Sequence, residues 1–399
     1  MYFFRRVLFM MKIWKALSLF LTLILLFGTL ILPVQGESRV QSIPSLSAEG
    51  AILIEAESGT VVCEKNAHTR MPMASTTKIM TAVVALELAA PDTLITVDGR
   101  AVGTEGSSVY LCEGERLTLE QLLYALMLES ANDAAVAIAI GVSGSIEAFV
   151  DEMNRKATSL GLSNTHFANP HGLDAEAHYT TVYELARIAQ AALQNSLLKT
   201  IVSTRKTTIP HGDTDAVRLL VNHNKMLRQY EGCIGLKTGY TQKSGRCLVS
   251  AAERNGVTMI AVTLSSPDDW NDHTKLLDYG FSMWQRIELC PADYQFCLPV
   301  VGARDSYVVL GVMESYSVTL PRGIGVIEQT IECPRYVFAP IKAGDVCGRM
   351  LFLCDTNNDG LKETVGEILF VAQNDAPSYS PRLSLWQRFL LWWRGLFAK

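Results

Sequence analysis

The sequence predicts an α+β fold in which helices lie between two groups of antiparallel strands, followed by a small all-β domain and a C-terminal amphipathic helix. Strand pairs with turn signals stand near both ends of residues 44–290, around Glu57-Ser58-Gly59 and around Arg254-Asn255-Gly256. Apolar runs of helical length lie between these strand pairs. After Pro291 the sequence consists of short runs rich in β-branched and aromatic residues. This succession is typical of α+β proteins. At 399 residues, the chain suffices for one large domain and a smaller one.

Residues 1–36 are interpreted as a signal peptide that does not belong to the fold. Basic residues precede the apolar run from Ala16 to Leu32, and Pro33 ends that run. Small or modest residues follow, so cleavage is expected before Glu37 and the mature protein would be exported. The alternative is an uncleaved anchor, which the length of the apolar run permits.

Local signals predict the first elements of the larger domain, residues 44–290. The runs Ala51–Glu55 and Thr60–Glu64 predict a hairpin that begins a sheet. Residues 79–88 are apolar nearly all round, which predicts a helix buried in the core. Ser75 would stand at the N-terminal end of that helix.

Capping and turn signals predict the elements that follow. Thr118 with Gln121 forms a capping-box pattern ahead of a second helix, which should run up to residue 129 or 130. An alanine-rich run from Asp133 to Ile140 starts a third helix. Asn255-Gly256 joins the runs 246–253 and 257–264, a strong hairpin signal because both turn residues accept positive φ.

Residues 291–375 are expected to form a small β-sandwich-like domain. Its apolar runs are Tyr307–Val312, Tyr316–Leu320, Ile324–Ile331, Met350–Cys354 and Val365–Ala372. Asp355 to Gly360 looks like the first half of a calcium loop, but Gly366 stands at the twelfth position, where such a loop requires a bidentate Glu. A hairpin turn is therefore the preferred interpretation.

Residues 376–399 are expected to form an amphipathic membrane-anchor helix. Between positions 381 and 399, apolar and aromatic residues recur at helical spacing beside three Arg and one Lys, with no acid. The longest apolar stretch, Phe389–Trp393, is too short to span a bilayer, whereas Trp-rich and Arg-rich helices lie flat in anionic headgroups. Residues 381–399 are thus predicted to hold the protein on the outer face of the cytoplasmic membrane. The alternative is a terminal helix docked on its own protein.

Charge and cysteine content exclude some partners. The formal net charge is −5, so no nucleic acid partner is expected. The nine cysteines contain no C-x-x-C spacing, so they predict neither a zinc site nor a small disulfide framework. Pairs such as Cys290 with Cys297, or Cys333 with Cys347 or Cys354, stay open, and buried free thiols are the preferred interpretation.

Ser75 and Lys78 are the candidate nucleophile and base. A serine hydroxyl reacts poorly until a base takes its proton, and on a helix a lysine three residues later lies on the same face. The spacing recurs at positions 196–199 and 203–206, but only the first instance opens a buried helix. Unpaired N–H groups and the helix dipole there would stabilise an oxyanion. Burial and a second cation would keep Lys78 neutral.

Two further motifs occur once each in the chain. Ser130-Ala131-Asn132 supplies a hydroxyl and an amide at a helix junction, and Lys237-Thr238-Gly239 supplies a cation, a hydroxyl and a residue without a side chain on a strand. With the first motif they follow the set of penicillin-binding proteins and class A β-lactamases, except that Ala131 stands where that set has Asp. A helix cap, a turn residue and a surface charge are the alternative for the three motifs.

From about Leu46 onward the sequence resembles the low-molecular-mass penicillin-binding proteins, the serine D-Ala-D-Ala carboxypeptidases. The resemblance rests on Ala74–Thr81, Asn169–Leu173 and Gly235–Thr241, together with the trailing β-domain and terminal helix. It implies a β-lactamase-like or transpeptidase-like catalytic domain, peptidoglycan pentapeptide as substrate and β-lactams as inhibitors. No metal and no cofactor are implied. The stretch Ser266–His273 is similar to one in relatives from endospore-forming bacteria.

The resemblance also implies a catalytic sequence. Ser75, deprotonated by Lys78, would attack the carbonyl of the penultimate D-alanine, and water would hydrolyse the acyl-enzyme. The backbone N–H groups of Ser75 and Tyr240 would form the oxyanion hole. Ser130 would relay a proton to the leaving amine, and Asn132 would hold the substrate amide.

The third motif has two implied roles. Lys237 and Thr238, next to Gly239, would receive the terminal carboxylate of the substrate. Lys237 would also be the cation that helps to keep Lys78 neutral.

Two other functions stay open from the sequence. A class A β-lactamase would imply a Glu-x-x-Leu-Asn segment between the second and third motifs, and none exists between Asn132 and Lys237. A β-lactam or cell-wall sensor that is acylated without turnover would keep the same motifs. His166, His171 and His178 are spaced like a metal cluster, but their Gly-rich, Pro-rich and Asn-rich surroundings disfavour zinc.

Overall fold

The computed structural model describes residues 44–212, 215–356, 359–379 and 384–396, so the predicted signal peptide lies outside the described residues. The helices are α1 (Lys78–Leu88), α2 (Leu119–Leu128), α3 (Asn132–Ser143), α4 (Ile146–Ser159), α5 (Val182–Leu193), α6 (Ser196–Ser203), α7 (Met226–Gln229), α8 (Asp269–Met283) and α9 (Leu385–Leu396). The strands are β1 (Gly50–Glu55), β2 (Val61–Lys65), β3 (Leu94–Thr96), β4 (Arg116–Thr118), β5 (Lys206–Pro210), β6 (Val217–Val221), β7 (Cys233–Thr241), β8 (Gly245–Arg254), β9 (Val257–Leu264), β10 (Trp284–Cys290), β11 (Gln295–Val301), β12 (Tyr307–Gly311), β13 (Tyr316–Pro321), β14 (Glu328–Glu332), β15 (Val337–Phe338), β16 (Val346–Cys354) and β17 (Glu363–Ala372).

A five-stranded antiparallel sheet in the order β2-β1-β9-β8-β7 organises the first part of the fold. Successive side chains of a strand point to opposite faces, so the sheet contributes to two cores. Ile52 and Ile54 belong to the larger core with α1, α2, α3 and α5, whereas Leu53 belongs to a second core with α8. The predicted α+β arrangement of helices around an antiparallel sheet is confirmed.

The local signals fold as predicted. The first two turns of α1 are buried on all sides, which explains its apolar residues all round. Thr118 and Gln121 form the reciprocal capping box of α2. Asn255 and Gly256 have φ values of 51° and 76° in the β8–β9 turn, the positive angles that a two-residue hairpin needs.

A second set of strands follows, with a hydrophobic core of its own. Six strands lie in the order β14-β16-β17-β12-β11-β15, and β10 pairs with β13. Fully buried Phe352 and Phe370 anchor this core, and Phe296 meets the Phe370 ring edge-on at 4.8 Å. One predicted strand is shifted: β14 begins at Glu328 rather than near Ile324, because its partner β16 ends one residue after the Glu328–Leu353 pair.

The acidic segment after β16 forms part of a hairpin turn. β16 and β17 pair antiparallel on either side of it. The Asp355 carboxylate accepts backbone hydrogen bonds from Asp359 at 3.1 Å and Gly360 at 2.9 Å. Asp355 therefore closes the turn, as an Asx side chain commonly does.

All nine cysteines lie within the described residues and are free thiols. Four of them are buried, namely Cys63, Cys247, Cys290 and Cys354. Burial raises the pKa of the Cys63 and Cys247 thiols to about 11, which makes those thiols unreactive at neutral pH.

The C-terminal helix α9 starts with a reciprocal cap, since Ser384 N–H donates to Gln387 Oε1 and Gln387 N–H donates to Ser384 Oγ. Trp386, Phe389 and Trp392 are exposed along it. Within the described ranges, no single helix is long and apolar enough to cross a membrane; α3 and α4 meet that requirement only as a pair, across a bend of 87°.

Candidate active site

Ser75 lies in a 3₁₀ turn, Ala74–Thr77, that leads directly into α1. Lys78, the first residue of α1, is fully buried, and its Nζ lies 2.9 Å from Ser75 Oγ. Residues three apart on a helix face the same side, and here that geometry brings the two together. The structure therefore places the predicted nucleophile and base within hydrogen-bond distance.

Two other acceptors fix the Lys78 side chain. Its Nζ donates to Asn132 Oδ1 at 2.7 Å and to the His171 carbonyl at 2.5 Å. Asn132 opens α3, and its Nδ2 donates to the Glu105 carbonyl at 2.6 Å, so the orientation of its amide is set from both ends. Ser130, just before α3, is 6% exposed and has a φ of 59°, a strained angle often found at functional sites.

Burial lowers the pKa of both lysines of the site, Lys78 and Lys237. Desolvation lowers the pKa of Lys78 well below its usual range, and the Lys237 ammonium lowers it further against the opposing Asp133 carboxylate. Desolvation also lowers the pKa of Lys237 to about 7, against the pull of Glu129. A lowered pKa favours the neutral amine, and only the neutral amine can accept a proton.

Strand β7 lies directly against the nucleophile turn. A Cβ added at Gly239 would stand 3.0 Å from the Ser75 backbone nitrogen and 3.1 Å from that of Thr76. A side chain there would require the strand or the turn to shift by a few tenths of an ångström, so glycine permits the close approach. The backbone N–H of Ser75 thus faces the strand across a narrow gap.

The segment around Gly172 supports the same turn from another side. Gly172 has a φ of 92°, and a Cβ there would stand 2.0 Å from the Ala74 carbonyl oxygen. His178 Nδ1 accepts from Ala168 N–H, so its Nε2–H donates to Thr77 Oγ1 at 2.7 Å. Burial lowers the pKa of His178 to about 4, which keeps this donor neutral. The function of the Asn169–Leu173 motif in this structure is to brace the turn that carries Ser75.

The three histidines considered for a metal each have other contacts. His166 Nδ1 lies 2.6 Å from the Ala177 carbonyl, and His171 Nδ1 accepts from the Leu173 N–H at 3.2 Å. His178 contacts Thr77, as described above. Among the residues that the structure describes, no group of three or more His, Cys, Asp or Glu side chains could hold a metal ion.

A cleft of about 550 Å³ opens above Ser75. Five of the predicted site residues line the cleft: Ser75, Ser130, Thr238, Gly239 and Tyr240. Five further residues complete its wall: Ser107, His223, Arg246, Asp269 and Trp270. The remaining predicted residues, Lys78, Asn132 and Lys237, are buried behind this wall.

Three of the five wall residues that the sequence motifs did not predict, Arg246, Asp269 and Trp270, come from β8 and α8. Arg246 lies on β8 directly opposite Tyr240 of β7. Its Nη1 is 3.5 Å from Asp269 Oδ1, with side-chain exposures of 53% for Arg246 and 6% for Asp269. The Ser266–His273 stretch had no assigned role in the sequence; its position at the start of α8 brings Asp269 and Trp270 to the cleft.

Lys237 does not line the cleft in this structure. Its Nζ is buried and donates to the Thr238 carbonyl at 3.1 Å. The resemblance implied that Lys237 receives the substrate carboxylate, whereas Arg246 is the wall residue with an exposed guanidinium. A guanidinium presents a planar fork of donors that suits a carboxylate.

An antiparallel sheet with helices on its faces, a serine beside a buried lysine and a glycine-bearing strand against the nucleophile turn define an active-site-serine acyl-transfer enzyme. A family model described as D-alanyl-D-alanine carboxypeptidase matches residues 37–268. The chain belongs to this family, the S11 serine peptidases, which confirms the resemblance predicted from the motifs.

Relatives and solved structures agree with this assignment. The chain is 32% identical over 319 residues to the D-alanyl-D-alanine carboxypeptidase DacF of Bacillus subtilis, which covers 77% of this chain and 82% of that protein. It is 38% identical over 259 residues to the D-alanyl-D-alanine carboxypeptidase of Streptomyces sp. strain K15, covering 60% of this chain and 89% of the relative.

Solved structures extend the likeness to the fold. Penicillin-binding protein 5 from Haemophilus influenzae has a TM-score of 0.63 and 26% identity, over 84% of this chain and 99% of that chain. The Streptomyces K15 DD-transpeptidase has a TM-score of 0.58 and 36% identity, over 60% and 99%. The predicted fold class is confirmed by these likenesses.

Proposed function

We propose that this protein is a serine-type D-alanyl-D-alanine carboxypeptidase that removes the terminal D-alanine from peptidoglycan stem pentapeptides through an acyl-enzyme on Ser75. One observation carries the proposal: the amine of Lys78, whose pKa is lowered by burial, lies 2.9 Å from the Ser75 hydroxyl at the floor of the cleft. Family membership supports the activity, and β-lactams would acylate the same serine.

In the acylation step, Lys78 Nζ takes the proton of Ser75 as Oγ forms a bond to the carbonyl carbon of the penultimate D-alanine. The carbonyl oxygen becomes an oxyanion, which the backbone N–H groups of Ser75 and Tyr240 would receive. The C–N bond then breaks, and Ser130 relays a proton from Lys78 to the departing amine of D-alanine. In the second step a water molecule gives a proton to the neutral Lys78 amine as its oxygen bonds to the acyl carbon. The ester bond to Ser75 Oγ then breaks, and Oγ takes the proton back from Lys78.

The structure supports a different use of Asn132 and Lys237 from the one that the resemblance implied. Asn132 has both ends of its amide engaged, one on Lys78 and one on Glu105, so it positions the base in the free enzyme. We propose that Thr238 and Arg246 bind the terminal carboxylate, since both line the cleft. Lys237 would then act on the pKa of Lys78.

Release of D-alanine from a peptide that ends in Lys-D-Ala-D-Ala tests this function. The protein from residue 37 onward should release D-alanine, and Ser75→Ala should abolish both release and covalent labelling by a fluorescent penicillin. Persistent labelling of the Ser75→Ala variant would move the nucleophile elsewhere. Stable acylation without release would favour a sensor, and rapid penicillin hydrolysis would favour a β-lactamase.

We further propose that the protein is exported and bound to the outer face of the cytoplasmic membrane through residues 381–399. The exposed aromatic side chains of α9 and its two arginines, Arg388 and Arg394, support this. Deletion of residues 381–399 should leave D-alanine release intact and move the mature protein from the membrane fraction to the soluble fraction. Continued membrane retention would point to an uncleaved N-terminal segment.

A further inference from the structure

An aromatic surface lies on the second sheet, at the edge formed by β15. The aromatic edge patch consists of Pro299, Val301, Tyr307, Tyr336 and Phe338, all exposed. Pro299 and Val301 alternate with the buried Leu298 and Val300 on β11, so they face outward together.

The members of the aromatic edge patch are neighbours. Val301 pairs with Phe338 in the parallel β11–β15 ladder, and Pro299 pairs with Tyr307 in the antiparallel β11–β12 ladder. The Tyr336 and Phe338 rings meet edge-on at 5.5 Å. Exposed fractions between 47% for Val301 and 66% for Phe338 make this a contiguous apolar surface, which marks a contact site more often than scattered residues do.

The chain connects this patch to the C-terminal helix by a short tether. The Tyr379 N–H donates to the Gly302 carbonyl at 2.6 Å, and Ser378 forms a bridge with Ala303, so Tyr379 lies beside Gly302, the residue that follows Val301. The helix α9 begins six positions later, at Leu385. An extended chain spans at most about 3.6 Å per residue, so the start of α9 stays within about 22 Å of Tyr379.

We propose that the aromatic edge patch is a second membrane-contact surface that lies against the same anionic headgroup layer as α9. This inference rests on the membrane attachment proposed above. A helix bound to that layer keeps Tyr379, and with it the patch, near the membrane surface, so the second contact forms at a high effective concentration.

The chemistry of the patch fits the headgroup region. Tyr side chains combine an apolar ring with a polar hydroxyl, which suits the membrane–water interface. Arg304 and Arg335 are exposed within residues 299–307 and 335–338, which carry the patch, and Asp305 is the single acid in those two segments. Two points of contact would fix the orientation of the β-rich part of the protein on the membrane.

Vesicle binding tests the proposal with a matched control. The protein from residue 44 to 399 is titrated with vesicles of phosphatidylglycerol and phosphatidylcholine, as wild type, as Tyr336→Ser/Phe338→Ser, and as Val326→Ser/Ile331→Ser. Val326 and Ile331 are also exposed apolar residues, at 82% and 47%, but Ile331 lies on β14 at the opposite edge of the sheet. We expect the first variant to bind at least about 10-fold more weakly and the control within about twofold of wild type.

Two further measurements keep the result interpretable. Both variants should release D-alanine at the wild-type rate, which shows that the fold is intact, and vesicles should slow amide hydrogen exchange in residues 299–307 of the wild type. Equal vesicle affinity of the first variant and wild type would overturn the inference. Reduced binding to insoluble peptidoglycan with unchanged vesicle affinity would also overturn it and assign the patch to glycan. A wild type that does not bind vesicles would refute the membrane attachment itself, while D-alanine release would still stand.

Discussion

The exposed guanidinium of Arg246 gives the sharpest test of how the cleft recognises its substrate. Arg246→Gln removes a charge that lines the cleft beside Thr238 and leaves Asp269, 6% exposed, without its ion-pair partner. A hydrogen bond to a charged group contributes about 1.5–3 kcal/mol. At about 1.4 kcal/mol per tenfold change, loss of that contact lowers kcat/KM by about 10-fold to 150-fold.

The assay compares D-alanine release from two peptides that end in Lys-D-Ala-D-Ala, one with a free terminal carboxylate and one with a terminal amide. Wild type should prefer the free acid, whereas Arg246→Gln should lose most of that preference, because the guanidinium proposed to bind the carboxylate is removed. Arg254→Gln is the matched control, since Arg254 lies at the far end of the same strand and pairs with Asp278. A kcat/KM of Arg246→Gln within twofold of wild type on the free acid would refute this role of Arg246.

The electrostatics and packing of the nucleophile turn lead to two other predictions. Because only the neutral amine accepts a proton, the rate of acylation by a fluorescent penicillin should fall as pH drops through the folded-state pKa of Lys78. Lys237→Gln removes a cation that lowers this pKa, so the acid limb of the pH–rate profile should move to higher pH. An acid limb that does not move would exclude coupling between the two lysines. Gly172→Ala should lower the free energy of unfolding in urea and slow acylation, because the added Cβ would press on the Ala74 carbonyl. The control Gly161→Ala, also at positive φ but with open space around it, should lose only the backbone strain of about 1–2 kcal/mol. Equal losses of unfolding free energy in the two variants would contradict the packing argument.

Features that depend on a few neighbouring residues could be predicted from the sequence. The Thr118–Gln121 capping box and the Asn255-Gly256 hairpin are complete within four residues, and both fold as expected. The proximity of Ser75 and Lys78 also follows from helical geometry alone. For such features, tertiary packing adds stability without changing the local conformation.

Features that depend on sheet register could not be predicted in the same way. Arg246 reaches the cleft because β8 pairs with β7 in a register that sets it opposite Tyr240. Asp269 joins it because α8 starts at the same end of the sheet, although the two residues are 23 positions apart in the chain. Likewise, Asn132 holds Lys78 because the Glu105 carbonyl occupies the other end of its amide, a contact across a loop that no motif encodes.

The two edges of the central sheet differ in how they resist aggregation. An open strand edge has unpaired backbone N–H and C=O groups that can pair with a strand of another molecule, and proteins commonly protect such an edge with charged side chains. The outer strand β2 ends in the exposed pair Glu64 and Lys65, whereas β7 is covered near Gly235 by Val202 and lines the cleft at residues 238–240. The nucleophile turn packs against the Gly239 part of β7, so the segment that carries Ser75 also covers this edge of the sheet. A substrate or β-lactam bound in the cleft should raise the folding stability.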